Sequence, residues 1–506
     1  MKKRSRGVVL AYIYTAANMV VGLFMSVFIL RTLGKTEYGL YQTMTSFATY
    51  LSLFQFGTGT IMTRNIALCT QEKDSSLSVR KNFSTVWSIT QILSAVILTV
   101  AVVFYLFIDR IYSESLTPAQ ISTGKLLFVL VVFKMIFAFW TQTLNGAMLG
   151  FERYSISTVV SLVFLALRTL TVVVLLTVRP DALTLVITDT VLEIFVLLFT
   201  VIYCKRNFDV SFSFRYFDAG IFKSIMPLAL ALFLQVIVNQ ANGNVDKFFI
   251  GVLMSPESVA VYSVGMYIYT VFSSLTTIPI SMYMPQVAHN IKSGISSEEL
   301  TQTLIQPCRL ITLIGGSVLF GFISFGKVFV KLFYGNDYTE AWLIAVIIMV
   351  PMFINMCNGV IVNVLDVLSK RYVRSLCLLG TTAANIALTI WWIKVWGIVG
   401  AAVATALCTL IGQVLIMNIY YSRVLKIKII YLFRKSFSGL LIWLIAAAAV
   451  SAPLTYVIKN LWLSFFVSAA VFLAVGSAGI LLFGLNKAEK AACSRALLKI
   501  RHMIRK

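Results

Sequence analysis

The chain has 506 residues, of which 59% are hydrophobic and only 12% charged, with a mean hydropathy of +0.90. A soluble domain carries about twice that charged fraction, so these values exclude a water-soluble globular enzyme and require a polytopic membrane protein. The formal charge of +23 reports topology, not nucleic-acid binding: twenty-nine of the 42 Lys and Arg fall in loops on one side of the membrane, and no basic face stands apart from the membrane ends.

Apolar windows of about twenty residues predict an all-α fold of about fourteen transmembrane helices. The first six run 7–31, 39–63, 83–108, 122–148, 154–178 and 183–204. The first begins within MKKRSRGVVLAYIY and its apolar run continues to about Leu30 without a cleavage-type site, so it is expected to be a retained span. A polar link, KRNFDVSFSFRYFDAG, leads to six more at 226–252, 259–285, 303–330, 340–366, 372–394 and 398–421. A basic link, SRVLKIKIIYLFRK, leads to two further spans at 436–458 and 462–484. The expected organisation is an N-lobe over 1–208, a C-lobe over 221–422, and a region over 434–506 holding the two extra spans and a basic tail. That tail, NKAEKAACSRALLKIRHMIRK, is expected on the anionic inner leaflet. Basic loops face the cytoplasm, which places both termini inside.

The lobes repeat one another. At a shift of 221 residues, Asn239 falls on Asn18, Gly243 on Gly22, Phe249 on Phe28, Ile250 on Ile29 and Tyr262 on Tyr41. At a shift of 218, Asn145 meets Asn363 and Tyr154 meets Tyr372. Six spans per lobe is an even number, so the repeat is parallel, with its axis along the membrane normal.

Absences narrow the chemistry. The seven cysteines form no CxxC pattern and read as small core residues. His289 and His502 are the only histidines, both in inner loops, and no GxxxxGK[ST] phosphate loop occurs. No cofactor, no metal site and no nucleic-acid partner are expected, and the chain is expected not to be an enzyme.

Four stretches carry a resemblance: LGKTEYGLYQ (33–42), LFQFGTGTIMTRNIA (53–67), VDKFFIG followed by VAVYSVG (245–265), and WGIVGAAVAT (396–405). In this order and spacing the chain resembles the Wzx-type flippases of O-antigen and capsule repeat units. These form the polysaccharide-transporter branch of the multidrug/oligosaccharidyl-lipid/polysaccharide exporter superfamily. The resemblance covers nearly the whole chain. It implies a two-lobe transporter in a bacterial cytoplasmic membrane, working by alternating access on a polyprenyl-diphosphate-linked oligosaccharide. Polymerase and chain-length proteins of the same pathway would be its partners beside the lipid bilayer.

Such cargo needs a polar path, positive charge for the diphosphate and an apolar slot for the tail. Charged residues at the bilayer centre cost about 2.5–3.5 kcal/mol each, so those present need a reason. Lys134, Arg168 and Asp189 lie about fourteen or fifteen residues from the cytoplasmic ends of the fourth, fifth and sixth spans, which puts them at one depth. Glu193 shares the face of Asp189 one turn on. Two readings stand: Lys134 and Arg168 hold phosphate while Asp189 or Glu193 takes a coupling ion, or Arg168 pairs with Asp189 and locks the lobe. Lys134 is left without an obvious partner and is favoured for substrate. In the seventh span, Asn239, Gln240, Asn242, Asn244, Asp246 and Lys247 cover more than one helix face, so some should line a cavity; the alternative is interhelical packing. Gly243 and Pro227 are expected to bend that helix or part it locally. Arg31 and Arg309 are further substrate candidates that could instead snorkel to an interface. Trp391, Trp392 and Trp396 suit an interface belt.

Three other functions remain in view. A lipid II flippase would carry cargo of the same chemistry, whereas a cation-coupled multidrug exporter would fit less well among in-span Lys and Arg. A membrane polymerase or ligase would need a sizeable outer loop, and none exceeds about sixteen residues.

Overall fold

The computed structural model describes residues 2–70, 75–368, 372–486 and 489–490, and every regular element among them is helical. Helices α1 (Lys2–Leu51), α2 (Thr58–Cys69), α3 (Ser75–Ile111), α4 (Pro118–Gly150), α5 (Tyr154–Val178), α6 (Ala182–Asn207) and α7 (Ala219–Leu253) come first. They are followed by α8 (Pro256–Lys292), α9 (Ser297–Phe333), α10 (Glu340–Val367) and α11 (Tyr372–Cys408). The chain then forms α12 (Met417–Val424), α13 (Ile429–Phe437), α14 (Leu440–Ser451), α15 (Leu454–Val457) and α16 (Leu461–Gly479). Two compact units result, Met1–Ser263 and Val264–Lys506, with the boundary inside α8.

Among the described residues, eleven helical segments are long and apolar enough to cross a membrane. Two of them, Ile13–Cys69 and Val373–Val424, have 57 and 52 residues, against about 20 for one crossing. Each therefore holds two of the expected spans, broken by a glycine in a non-helical conformation, Gly34 at φ 76° and Gly397 at φ 59°. Positive φ costs glycine nothing, so the chain can turn there. The expected spans fall largely on helix, the one at 436–458 being broken at Ser438–Gly439 and again at Ala452–Pro453, and two further details differ from the sequence reading. The second span is interrupted by left-handed Phe56 (φ 50°) and Gly57 (φ 65°), with the Phe56 ring stacked on Phe233. Helix α7, expected to bend or part, stays helical from Ala219 to Leu253 through Pro227 and Gly243.

Local sequence explains the helix starts. Thr117 and Gln120 form a capping box ahead of Pro118, and Ser296 and Glu299 form another at α9. Asp181 caps α6, Asp218 caps α7 and Asn460 caps α16.

Lipid is as apolar as leucine, so close approach and hydrogen bonding must hold the helices together. In the first unit α4 is central: Leu127, Phe128 and Phe139 are buried with Met44, Ile97 and Val186. A methyl group on Gly146 would stand 2.2 Å from the Gly59 carbonyl oxygen, and Thr63 donates to the Gly146 carbonyl at 2.9 Å, so α2 and α4 touch backbone to backbone. In the second unit Cys308, Ile311, Cys357 and Ile361 join Met417, Tyr421 and Leu432 in one core. A satellite core of Leu440, Leu444, Ala447 and Phe472 joins α14 to α16, with Leu313 of α9 against it.

Candidate functional site

The charged layer expected from the sequence assembles around one carboxylate. Asp189 on α6 accepts Lys134 Nζ from α4 at 2.6 Å on Oδ2. It accepts Arg168 from α5 twice, Nε to Oδ1 at 2.7 Å and Nη2 to Oδ2 at 3.1 Å. Lys134 is therefore not left without a partner, as the sequence suggested: one carboxylate has lone pairs enough for both cations. The burial is asymmetric. Asp189 is 1% exposed, while the Lys134 and Arg168 side chains keep 30% and 27% of their surface. One acid shared by two cations leaves the cluster with one net positive charge.

The Tyr41 ring on α1 carries its hydroxyl close enough to interact electrostatically with both cations. Sequence reasoning did not place Tyr41 in the site, although its equivalence to Tyr262 was a signal. Tyr262 donates to Asp246 Oδ2 at 2.5 Å, both residues being buried, so its partner is an acid, whereas Tyr41 interacts with the two cations.

Glu193 lies one turn beyond Asp189 and lines a cavity of about 140 Å³ among α1, α4, α5 and α6, whose walls mix polar side chains, Tyr14 of α1 among them, with apolar ones. Asp246 and Lys247 lie near the end of α7. Asn239, Gln240, Asn242 and Asn244 lie outside the residues whose side chains are described. Arg31 stands exposed on α1, three residues before the Gly34 break.

Arg309 is not brought to the charged layer, and it does not snorkel. It is 6% exposed, and all five of its N–H donors have partners. Nε and Nη2 pair with the Glu489 carboxylate at 2.6 and 3.0 Å, Nη2 also meets the Gly484 carbonyl at 2.7 Å, and Nη1 meets the Lys435 and Ser438 carbonyls at 3.0 and 3.1 Å. These carbonyls end α13 and the π-helical turn Ile480–Gly484, so Arg309 fastens the last two spans to α9. Nothing in local sequence signals this, because the partners come from more than a hundred residues downstream.

Trp391 and Trp396 are exposed, and Trp392 has its ring near both along α11.

No curated protein matches the sequence. Among solved structures, the lipid II flippase MurJ in an inward closed conformation is similar with a TM-score of 0.69 at 14% identity, covering 93% of this chain and 98% of that one. A multidrug resistance MATE family transporter of the MOP superfamily, in an inward-facing conformation, is similar with a TM-score of 0.64 at 12% identity, covering 82% and 98%. The MATE multidrug transporter DinF-BH is similar with a TM-score of 0.58 at 15% identity, covering 84% and 96%. At such identities the likeness is one of fold. The family described as polysaccharide biosynthesis protein matches residues 28–343, which is more than half of the sequence, and the chain belongs to that family, with the fold of the MOP transporters.

Proposed function

We propose that the protein is a flippase that carries polyprenyl-diphosphate-linked oligosaccharide repeat units from the inner to the outer leaflet of a bacterial cytoplasmic membrane. The product would feed synthesis of O-antigen, capsule or exopolysaccharide. The observation that carries this reading is the Lys134–Asp189–Arg168 cluster, with its buried acid and partly open cations. A diphosphate leaving water needs fixed positive charge, and a guanidinium beside an ammonium supplies both a planar fork and a point charge. Membership of the polysaccharide biosynthesis family supports the cargo class.

In this reading Asp189 orients the two cations and is not itself the coupling acid, because both its oxygens are occupied. Glu193 is the coupling candidate. Arg31 and the polar stretch of α7, with Asn239, Gln240, Asn242, Asn244, Asp246 and Lys247, are proposed for the sugar path. The lobes at 1–208 and 221–422 would alternate about the repeat axis.

The test is movement of a fluorescent polyprenyl-diphosphate oligosaccharide in proteoliposomes, comparing wild type with Lys134→Ala and Arg168→Ala at matched, folded protein levels. Movement by wild type that either substitution lowers at least tenfold supports the reading. Export of small organic cations without lipid movement would make the protein a drug exporter, and formation or cleavage of glycosidic bonds would make it an enzyme.

A further inference from the structure

We propose that an apolar cavity among α2, α3 and α7 holds one acyl chain of an anionic phospholipid, with the headgroup at Lys81 and Lys223. The cavity, of about 320 Å³, is walled by Ile61 of α2, Ile89 and Ile92 of α3, and Phe222, Met226 and Ala229 of α7. These residues all belong to the unit Met1–Ser263. The cavity shares no residue with the charged layer on α4, α5 and α6.

The wall offers water nothing to bond. Its one polar residue, Thr58, shares a hydrogen bond with Thr143 at 3.0 Å, and the rest of the lining is apolar. A water needs about two to four polar partners to stay in a cavity, and an apolar cavity of about 150 Å³ stays dry and takes up a benzene-sized ligand. A dry space about twice that size forfeits dispersion contacts along its lining unless hydrocarbon fills it. Ile92 and Val96, one turn apart on α3, are exposed at 54% and 39%, so the cavity lies beside an apolar face from which a lipid chain can enter.

The headgroup follows from helix register and charge. Lys81 and Ile92 are eleven residues apart on α3, which turns them onto one face about 16 Å apart along the axis. One leaflet's hydrocarbon, half of the bilayer core, is about 15 Å deep. That match suits a chain lying in one leaflet with its phosphate at Lys81. Lys223 is exposed on α7, one turn before Met226 and on the same side. Phe217, 41% exposed, has its ring 6.1 Å from that of Phe222, where an aromatic at headgroup level belongs. Asp218 offsets only part of this charge. Its Oδ1 accepts the Gly220 and Ile221 N–H groups at 2.8 and 3.2 Å, and Lys81 Nζ stands 3.5 Å from its Oδ2. An ammonium has three donors, and this long contact engages one. Two ammonium groups against one carboxylate favour an anionic headgroup over a zwitterionic one. Binding here does not depend on the flippase reading.

The test uses the full-length protein in detergent micelles and a phosphatidylglycerol that carries a diazirine in the middle of one acyl chain. After illumination, the labelled peptides are identified by mass spectrometry. Saturable labelling of 86–93 and 222–229 is expected, competed at least fivefold better by unlabelled phosphatidylglycerol than by phosphatidylcholine. Lys223→Gln should raise the half-saturating concentration about fivefold. Ala229→Phe, which fills the cavity, should lower labelling of both segments at least fivefold and leave labelling of the lipid-facing stretch 163–174 of α5 unchanged. If Ala229→Phe yields no folded protein, Ile92→Trp at an exposed position blocks the entrance in its place, with the same expected loss. Labelling that does not saturate, or that the variants leave untouched, would mark an ordinary boundary lipid and overturn the proposal. Equal competition by phosphatidylcholine would overturn the headgroup assignment. Preferential competition by a polyprenyl diphosphate would give the cavity to the cargo tail and overturn the phospholipid. The readout needs no transport, so a protein that binds phosphatidylglycerol here yet moves no lipid-linked oligosaccharide overturns the flippase reading alone.

Discussion

Thr36 donates its hydroxyl hydrogen to Glu257 Oε1 at 2.7 Å across 221 residues of sequence, the same shift that relates Tyr41 to Tyr262. The two repeats thus touch at equivalent positions, where α1 resumes after Gly34 and where α8 begins. The seam is tight beyond that bond. A methyl group on Gly39 would lie 1.9 Å from the Pro256 carbonyl oxygen, and one on Gly251 would lie 2.7 Å from Thr43 Cγ2. If the protein works by the proposed alternating access, this seam is the element that would part when the face opposite the basic loops opens.

Gly39→Ala should force the seam apart. With Thr36→Cys as a reporter, labelling by a membrane-impermeant maleimide on intact cells should rise at least fivefold in the Gly39→Ala background. Unchanged labelling would show that the seam yields without opening.

Asp189 and Lys134 should separate in their effects on stability. Asp189→Ala strands two cations inside the bundle, a loss of about 3–5 kcal/mol for a broken buried pair. Lys134→Met leaves the two-bond Arg168–Asp189 pair in place, and about 1 kcal/mol is expected. Denaturant unfolding in micelles measures both, and equal losses would contradict the shared-acid geometry.

Much of this layer was legible in the sequence, because hydropathy windows fix depth and three charges at one depth stand out in apolar helices. The pairing was not. Which face of α4 meets α6 depends on close approaches such as Gly146 on Gly59, and no local pattern records those. The same limit explains Arg309, whose partners at 435, 438, 484 and 489 come from a different part of the chain. Pro227 and Gly243 are ordinary helix-breaking signals, yet α7 absorbs them: propensity is a weak force beside the need to keep backbone hydrogen bonds inside a membrane.

Arg309→Lys should fail to substitute. One ammonium has three donors where the guanidinium uses five, so about 2–4 kcal/mol should be lost from the attachment of the last two spans. Limited proteolysis should cut near 426–438 much faster in the variant, with α1–α7 unaffected. Equal cleavage rates would mean that the apolar contacts of Leu313, Leu444 and Phe472 suffice.

The cap of α7 should report pH. Asp218 accepts the Ile221 and Gly220 backbone N–H groups, and these bonds, with Lys81 at 3.5 Å, hold its carboxyl below the usual carboxylate range. A carboxyl whose folded-state pKa is lowered stabilises the fold above its unfolded value of about 3.9, and that contribution is lost as pH falls through the folded value. Amide exchange at 220 and 221, corrected for intrinsic rates, should accelerate below about pH 4, and Asp218→Asn should remove the acid-dependent part. Acceleration that persists in Asp218→Asn would assign it to another group.

Arg309 also orders the making of the protein. A chain emerging from the ribosome inserts α9 long before Lys435, Ser438, Gly484 or Glu489 exist, so a guanidinium with five donors must wait within the newly inserted half-protein. Until the last spans arrive, that segment depends on lipid headgroups, water or the insertion machinery to solvate the charge. Nonsense or frameshift alleles that end between 310 and 430 therefore leave a nascent product with an unquenched charge, and membrane quality control can recognise it by that.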